Sequence, residues 1–247
     1  MSLVLLTLLS SYSAWAVQLS DCRQAYDLRI KDDQALYSTQ CFRQWLLENP
    51  SADPENKNAA TRDLFLSLAW NYTHQTKFGT RRDMVNEGKT RSQQMIEQDV
   101  TAGDGYYWKA VFNTFDCQLI DGNRGIPRCF MNRKNMIIDL LFKAMKFEPT
   151  VHGYGPSSIY GIMMREMPKI VGGNKAVSLR YLKESFEKDP SFSSNHIEYA
   201  KTLFETGYNT DAVKLLRAFI VNDCRTMDPK RIYECEEDHI TARAMLQ

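Results

Sequence analysis

The 247-residue chain carries 31 Lys and Arg against 30 Asp and Glu, a formal net charge of +1. That balance argues against a nucleic-acid partner, because phosphate contacts demand a cationic surface. The 12 glycines and 8 prolines are sparse and mostly flank apolar-periodic segments, and strand-like alternation is nearly absent, so the class is all-α.

The chain opens with an apolar run, Leu3–Leu9, followed by Ala14-Trp15-Ala16, a small-x-small cleavage signature. Residues 1–16 are expected to be a secretory signal peptide cut after Ala16. The run is too short for the ~20 residues that span a bilayer. No Lys or Arg precedes it, which leaves open a start upstream of Met1. Val17 follows the cut where a lipoprotein would need cysteine. Residues 17–247 are then expected to be a single helical-repeat domain, periplasmic or secreted, with no membrane insertion after cleavage.

Taken in order, Ser20 or Asp21 should cap a first helix from Cys22 to Arg29, broken at Asp32-Asp33. A second helix carries Leu36, Phe42 and Trp45 and stops at Asn49-Pro50. Ser51–Asn58 reads as a polar linker before a helix over 59–73. Asn71-Tyr72-Thr73 matches a glycosylation sequon but falls inside apolar periodicity, so it is expected to be structural. Thr80–Asp99 is a polar helix whose Arg81, Arg82, Lys89 and Arg91 read as a solvated, charge-mixed face. After a turn at 101–105 comes the most aromatic helix, with Tyr106, Tyr107, Trp108, Val111, Phe112 and Phe115. Asn132–Phe147 follows and stops at Glu148-Pro149.

The stretch from Tyr154 to Pro190 organises the rest. Ser157–Met167 is a helix ended by Pro168, which lacks an N–H and disfavours the α region before it. Gly172 and Gly173 form the structural turn, Asn174 is a candidate N-cap, and Ala176, Leu179, Leu182 and Phe186 stripe the next helix to Asp189-Pro190. Asn195–Thr206 and Thr210–Asn222 repeat the pattern around Gly207. A short amphipathic end covers 239–246.

Six cysteines in an exported chain imply disulfides. They fall into three close pairs around turns, which favours Cys22–Cys41, Cys117–Cys129 and Cys224–Cys235. A metal site at Cys224, Cys235 and His239 is the rival reading. It is the weaker one, because zinc sites usually show tighter Cys-x2-Cys spacing.

Helix pairs ending at Asn49-Pro50, Glu148-Pro149 and Asp189-Pro190 suggest repeats. Gly207-x4-Ala212 matches the inter-helix turn of a tetratricopeptide unit, and Gly161 with Ala176 is a looser match. The spacing from Pro149 to Pro190 exceeds the ~34-residue period. The fold is therefore expected to be an irregular tetratricopeptide-like array of antiparallel helix pairs. Beyond this, the Tyr106-Tyr107-Trp108-Lys109-Ala110 helix and the block His152–Lys175 (HGYGPSSIYGIMMREMPKIVGGNK) resemble the T component of TRAP transporters, over roughly 104–220. The resemblance implies a periplasmic helical protein that associates with the transporter's substrate-binding protein, and in some members a trimer with pore-like passages. The six cysteines and the lack of a lipid-anchor cysteine depart from it. The alternative is an envelope adaptor for protein–protein interaction unrelated to transport.

Catalytic patterns are missing. The histidines His74, His152, His196 and His239 lie on different elements without HExxH spacing. Gly172-Gly173-Asn174-Lys175-Ala176 lacks the upstream glycine and the Ser or Thr of a phosphate loop. No enzyme activity, cofactor or metal is expected. The candidate site is a groove lined by Tyr107, Trp108, Tyr154, Tyr160 and Arg165. Three consecutive rings on a helix cannot all face one core, and Tyr and Trp suit wet binding surfaces. Its occupant would be a partner protein, or a small hydrophobic or organic-acid ligand; self-association into a homo-oligomer is left open.

Overall fold

The computed structural model describes residues 17–30, 34–74, 77–121 and 128–247. The expected signal peptide, Asp32-Asp33 and the Gly122-Asn123 part of the loop between Cys117 and Cys129 lie outside the described residues. Within them the chain forms helices α1 (Leu19–Asp27), α2 (Gln34–Glu48), α3 (Pro54–His74), α4 (Phe78–Gln98), α5 (Gly103–Asp121), α6 (Arg128–Phe147) and α7 (Val151–Glu166). After a 3-10 turn at Lys169–Val171 come α8 (Lys175–Lys188), α9 (Ser193–Glu205), α10 (Asn209–Phe219), α11 (Cys224–Met227) and α12 (Ile232–Met245). Among the described residues there is no strand.

Each helix from α1 to α9 packs on its successor, as expected of an array of helix pairs, and α9 also packs on α12. The main core runs from Cys22 on α1 to Met167 after α7, with Phe42, Phe65 and Phe112 fully buried. Each such ring contributes about 1.5–3 kcal/mol by leaving water. A second core joins Ile197, Ala200, Leu216, Phe219 and Ala242 from α9, α10 and α12.

The helix starts differ from the sequence expectation for local reasons. Gln18, not Ser20 or Asp21, occupies the N-cap of α1, and its side chain makes no capping bond. The expected linker over 51–58 is half helix: Pro54 takes the first helical position, and Asp53 Oδ1 accepts the Asn56 amide at 3.0 Å. Gly103 to Gly105 belong to α5, not to a turn. The short end expected over 239–246 is the second half of α12.

The organising turn follows its sequence closely. Met167 leaves the helix with ψ 136° ahead of Pro168. Asn174 caps α8, its Oδ1 accepting the Ala176 and Val177 amides at 3.0 and 3.1 Å. Gly172 has φ +102°. Gly173 is needed for a different reason: a Cβ there would overlap the Met167 carbonyl. The Gly173 amide donates to Pro168 O at 3.0 Å and the Asn174 amide to Met164 O at 2.8 Å, closing the loop.

The two ends of the array also meet. Arg29, 3% exposed, pairs with Glu234 on α12 and lies over the rings of Tyr26, Trp70 and Tyr233 at 4.2, 4.7 and 5.2 Å. His74 on α3 reaches Glu237 on α12 at 3.3 Å. All three cysteine pairs expected from spacing are disulfides, with Cα atoms 5.2, 5.1 and 5.7 Å apart. No helix among the described residues is long and apolar enough to cross a membrane.

Candidate functional site

The end of α7, the turn and the start of α8 enclose a groove of about 570 Å³. Arg165–Lys169 form one wall, Gly173–Ala176 the other, and Glu205 of α9 closes one side. Pro168 and Asn174 fix this shape, the proline by stopping α7 and the asparagine by starting α8. Beside it Ile170 stands 94% exposed on the 3-10 turn.

Arg165 anchors the groove. Its Nη2 donates to Glu198 Oε2 at 2.6 Å, its Nη1 to Glu198 O at 3.0 Å and Thr202 Oγ1 at 3.2 Å, and its Nε to Glu166 Oε1 at 2.9 Å. Glu205 Oε1 lies 3.6 Å from Nε, and its Oε2 lies 3.1 Å from Lys175 Nζ. This is more than a surface salt bridge, because the guanidinium is buried and ties α7 to α9. A buried charge is tolerated here because every strong donor direction meets an oxygen. The rim then presents both signs, with Lys169 and Lys175 against Glu166 and Glu205, which suits a polar protein surface better than a single small anion.

The four aromatic candidates lie elsewhere. Tyr107 and Trp108 are 3% and 4% exposed and belong to the main core, where Trp108 packs on Phe65 at 5.5 Å. Tyr160 is half-buried between Phe142 at 5.0 Å and Tyr181 at 4.8 Å, an outer ladder across α6, α7 and α8. Tyr154 is half-buried at a kink. The structure thus brings Tyr107 together with Trp108, and places Arg165 alone of the five on the α7–α8 groove.

The kink is a feature that sequence reasoning missed. His152, Gly153 and Tyr154 run in the left-handed region, with φ of 48°, 62° and 59°. Two non-glycine residues there cost on the order of 1–3 kcal/mol each. Neighbours hold them: Asn195 Nδ2 donates to Gly153 O at 3.0 Å, and the His152 ring sits 5.4 Å from Trp108 and 4.9 Å from Phe192. Burial, with Arg231 nearby as a smaller cause, pushes the His152 pKa down to about 3. The glycines flanking Tyr154 were the available signal.

The charged residues of α4 are structural rather than simply solvated. Arg91 and Arg43 share Glu87, while Lys89 and Arg133 share Asp116 at 2.8 and 2.6 Å. Asn71 is 1% exposed and donates to Ala35 O at 2.8 Å, so the sequon is a core polar contact. Cys224, Cys235 and His239 do cluster, but the two sulfurs are joined to each other, which leaves no thiolates to ligate a metal.

No protein-family model and no curated protein matches the chain. Among solved structures, it is similar to a thermophilic TPR protein of Thermus thermophilus, with a TM-score of 0.59 at 13% identity. The match covers 91% of this chain and 98% of that one. At this identity the likeness speaks to fold, and it agrees with the helix pairs, the core and the turn just described: the chain is an all-α tetratricopeptide-like array.

Proposed function

We propose that this is a non-enzymatic exported binding protein, a single helical-repeat domain over residues 17–247 that holds a partner protein at the α7–α8 groove. The tetratricopeptide-like fold supports protein binding as its general task. The single observation that carries the location is the Arg165 network, which rigidly orders a mixed-charge groove beside a 94% exposed Ile170. An apolar residue projecting beside ordered charges is the arrangement expected of an anchor with a polar rim. Export is supported by three disulfides among the described residues, which persist in oxidising compartments.

The preferred partner is the substrate-binding protein of a TRAP transporter, as the resemblance over His152–Lys175 implies. An envelope adaptor role outside transport is the second reading, and the same tetratricopeptide-like fold supports it equally. Placing a photo-crosslinking residue at Lys169, with the exposed Leu47 on α2 as a control, tests both. The proposal expects a specific adduct from Lys169 and none from Leu47. A TRAP substrate-binding protein in that adduct supports the first reading and another envelope protein the second. Equal labelling from both positions would contradict the site.

A further inference from the structure

A second cavity, of about 460 Å³, lies where the two ends of the array meet. This size is within the range of small-molecule sites, about 300–1,000 Å³. Its apolar wall is Tyr26 on α1 and Leu66 on α3, both partly exposed, with the fully buried Phe42 of α2 behind them. Four charges surround that wall. Arg23 and Asp63 neutralise each other at 2.7 Å. The other two, Asp27 on α1 and Lys230 before α12, have no ion-pair partner among the described residues. The cavity therefore offers one unpaired carboxylate, one unpaired ammonium and an apolar surface.

The C-terminal segment completes this site. Lys230 lies in the stretch 228–231, held by the Arg231–Asp228 pair at 3.1 Å and by the Cys224–Cys235 disulfide. The Glu234–Arg29 pair fastens α12 to the turn that follows α1, and Arg29 stacks on Tyr26, which is itself a wall of the cavity. Burial pushes the Asp27 carboxyl up, with Arg29 opposing, so a ligand cation would relieve a partly desolvated acid.

We infer that this seam binds a free amino acid with an apolar side chain, its ammonium toward Asp27, its carboxylate toward Lys230 and its side chain on Tyr26 and Leu66. A simple anion or cation engages only one of the two groups, whereas an amino acid zwitterion engages both. The site is separate from the α7–α8 groove, so its failure would leave the partner-binding proposal standing.

Titration calorimetry of the mature chain with L-phenylalanine, 3-phenylpropionate and phenethylamine tests it. The expected result is one saturable site for L-phenylalanine, with each single-charge analogue at least ~10-fold weaker. Lys230→Ala should weaken L-phenylalanine by at least ~10-fold and leave phenethylamine unchanged, while Asp27→Asn should weaken L-phenylalanine and leave 3-phenylpropionate unchanged. Both residues are exposed, so thermal midpoints should stay near wild type. No saturable binding of L-phenylalanine, or binding that survives both substitutions, would overturn the inference.

Discussion

Arg165 on α7 and Glu198 on α9 meet at 2.6 Å, Nη2 to Oε2, with the arginine side chain 4% exposed and the glutamate 16%. The pair fastens the organising helix to the repeat that follows it, and through Glu205 it reaches Lys175 at the start of α8. Removing one member leaves a poorly hydrated charge behind. Arg165→Ala should cost about 2–4 kcal/mol, somewhat below the usual value for a broken buried pair, because Lys201 still holds Glu198 at 2.6 Å. Denaturant unfolding measures it, and a loss under about 1 kcal/mol would show that the network contributes little.

Gly173→Val should destabilise the fold by about 1–3 kcal/mol or more, because its Cβ would meet the Met167 carbonyl backbone and the loop must shift. Gly172→Ala has open space but φ +102°, and should cost about 1–2 kcal/mol from conformation alone. Thermal midpoints of the two variants separate steric from conformational strain. A Gly173→Val midpoint equal to wild type would refute the steric account.

Non-reducing peptide mapping should recover Cys22–Cys41, Cys117–Cys129 and Cys224–Cys235, with no long-range pair. Each closes a short loop, so losing Cys224–Cys235 by a double serine substitution should cost about 3 kcal/mol in the chain-entropy view. Cysteines recovered in other pairings would contradict the arrangement.

Asp104, 4% exposed, has its carboxyl pushed up to about 6 by burial, with Arg62 opposing and Glu148 adding to the rise. Folding thus favours its protonated form relative to the unfolded chain, where the carboxyl titrates near its ordinary value. Between about pH 4 and about pH 6 the folded state binds more protons, so this group's contribution to stability falls as pH rises. Asp104→Asn cannot titrate. Wild type should therefore lose about 1–3 kcal/mol relative to Asp104→Asn from pH 4 to pH 7. A stability difference that stays constant or moves the other way would contradict the sign.

Sequence periodicity located nearly every helix, and it placed the organising turn at Pro168, Gly172, Gly173 and Asn174 because the signals there are local. Helix starts were less legible. Asp53-Pro54 carries a readable N-terminal signature, but polar residues around it read as linker. Of the five candidate binding residues, only Arg165 lies on the α7–α8 groove. Three consecutive rings at 106–108 suggested exposure, yet α5 lies between α4, α6 and α7 and buries all three. Contacts between distant residues leave no local pattern: Arg29 meets Glu234 across 205 positions, and nothing near Arg29 announces a buried cation among three rings.

A protein partner seated in the α7–α8 groove must lose its place when the groove is filled. Ala176 is exposed on the groove wall, so Ala176→Trp fills that space without touching the core. The deciding quantity is the Kd of the purified protein captured through Lys169 for wild type and for Ala176→Trp, beside their thermal midpoints. Affinity should weaken at least ~10-fold with an unchanged midpoint. Equal affinity for the two would contradict partner binding at this groove.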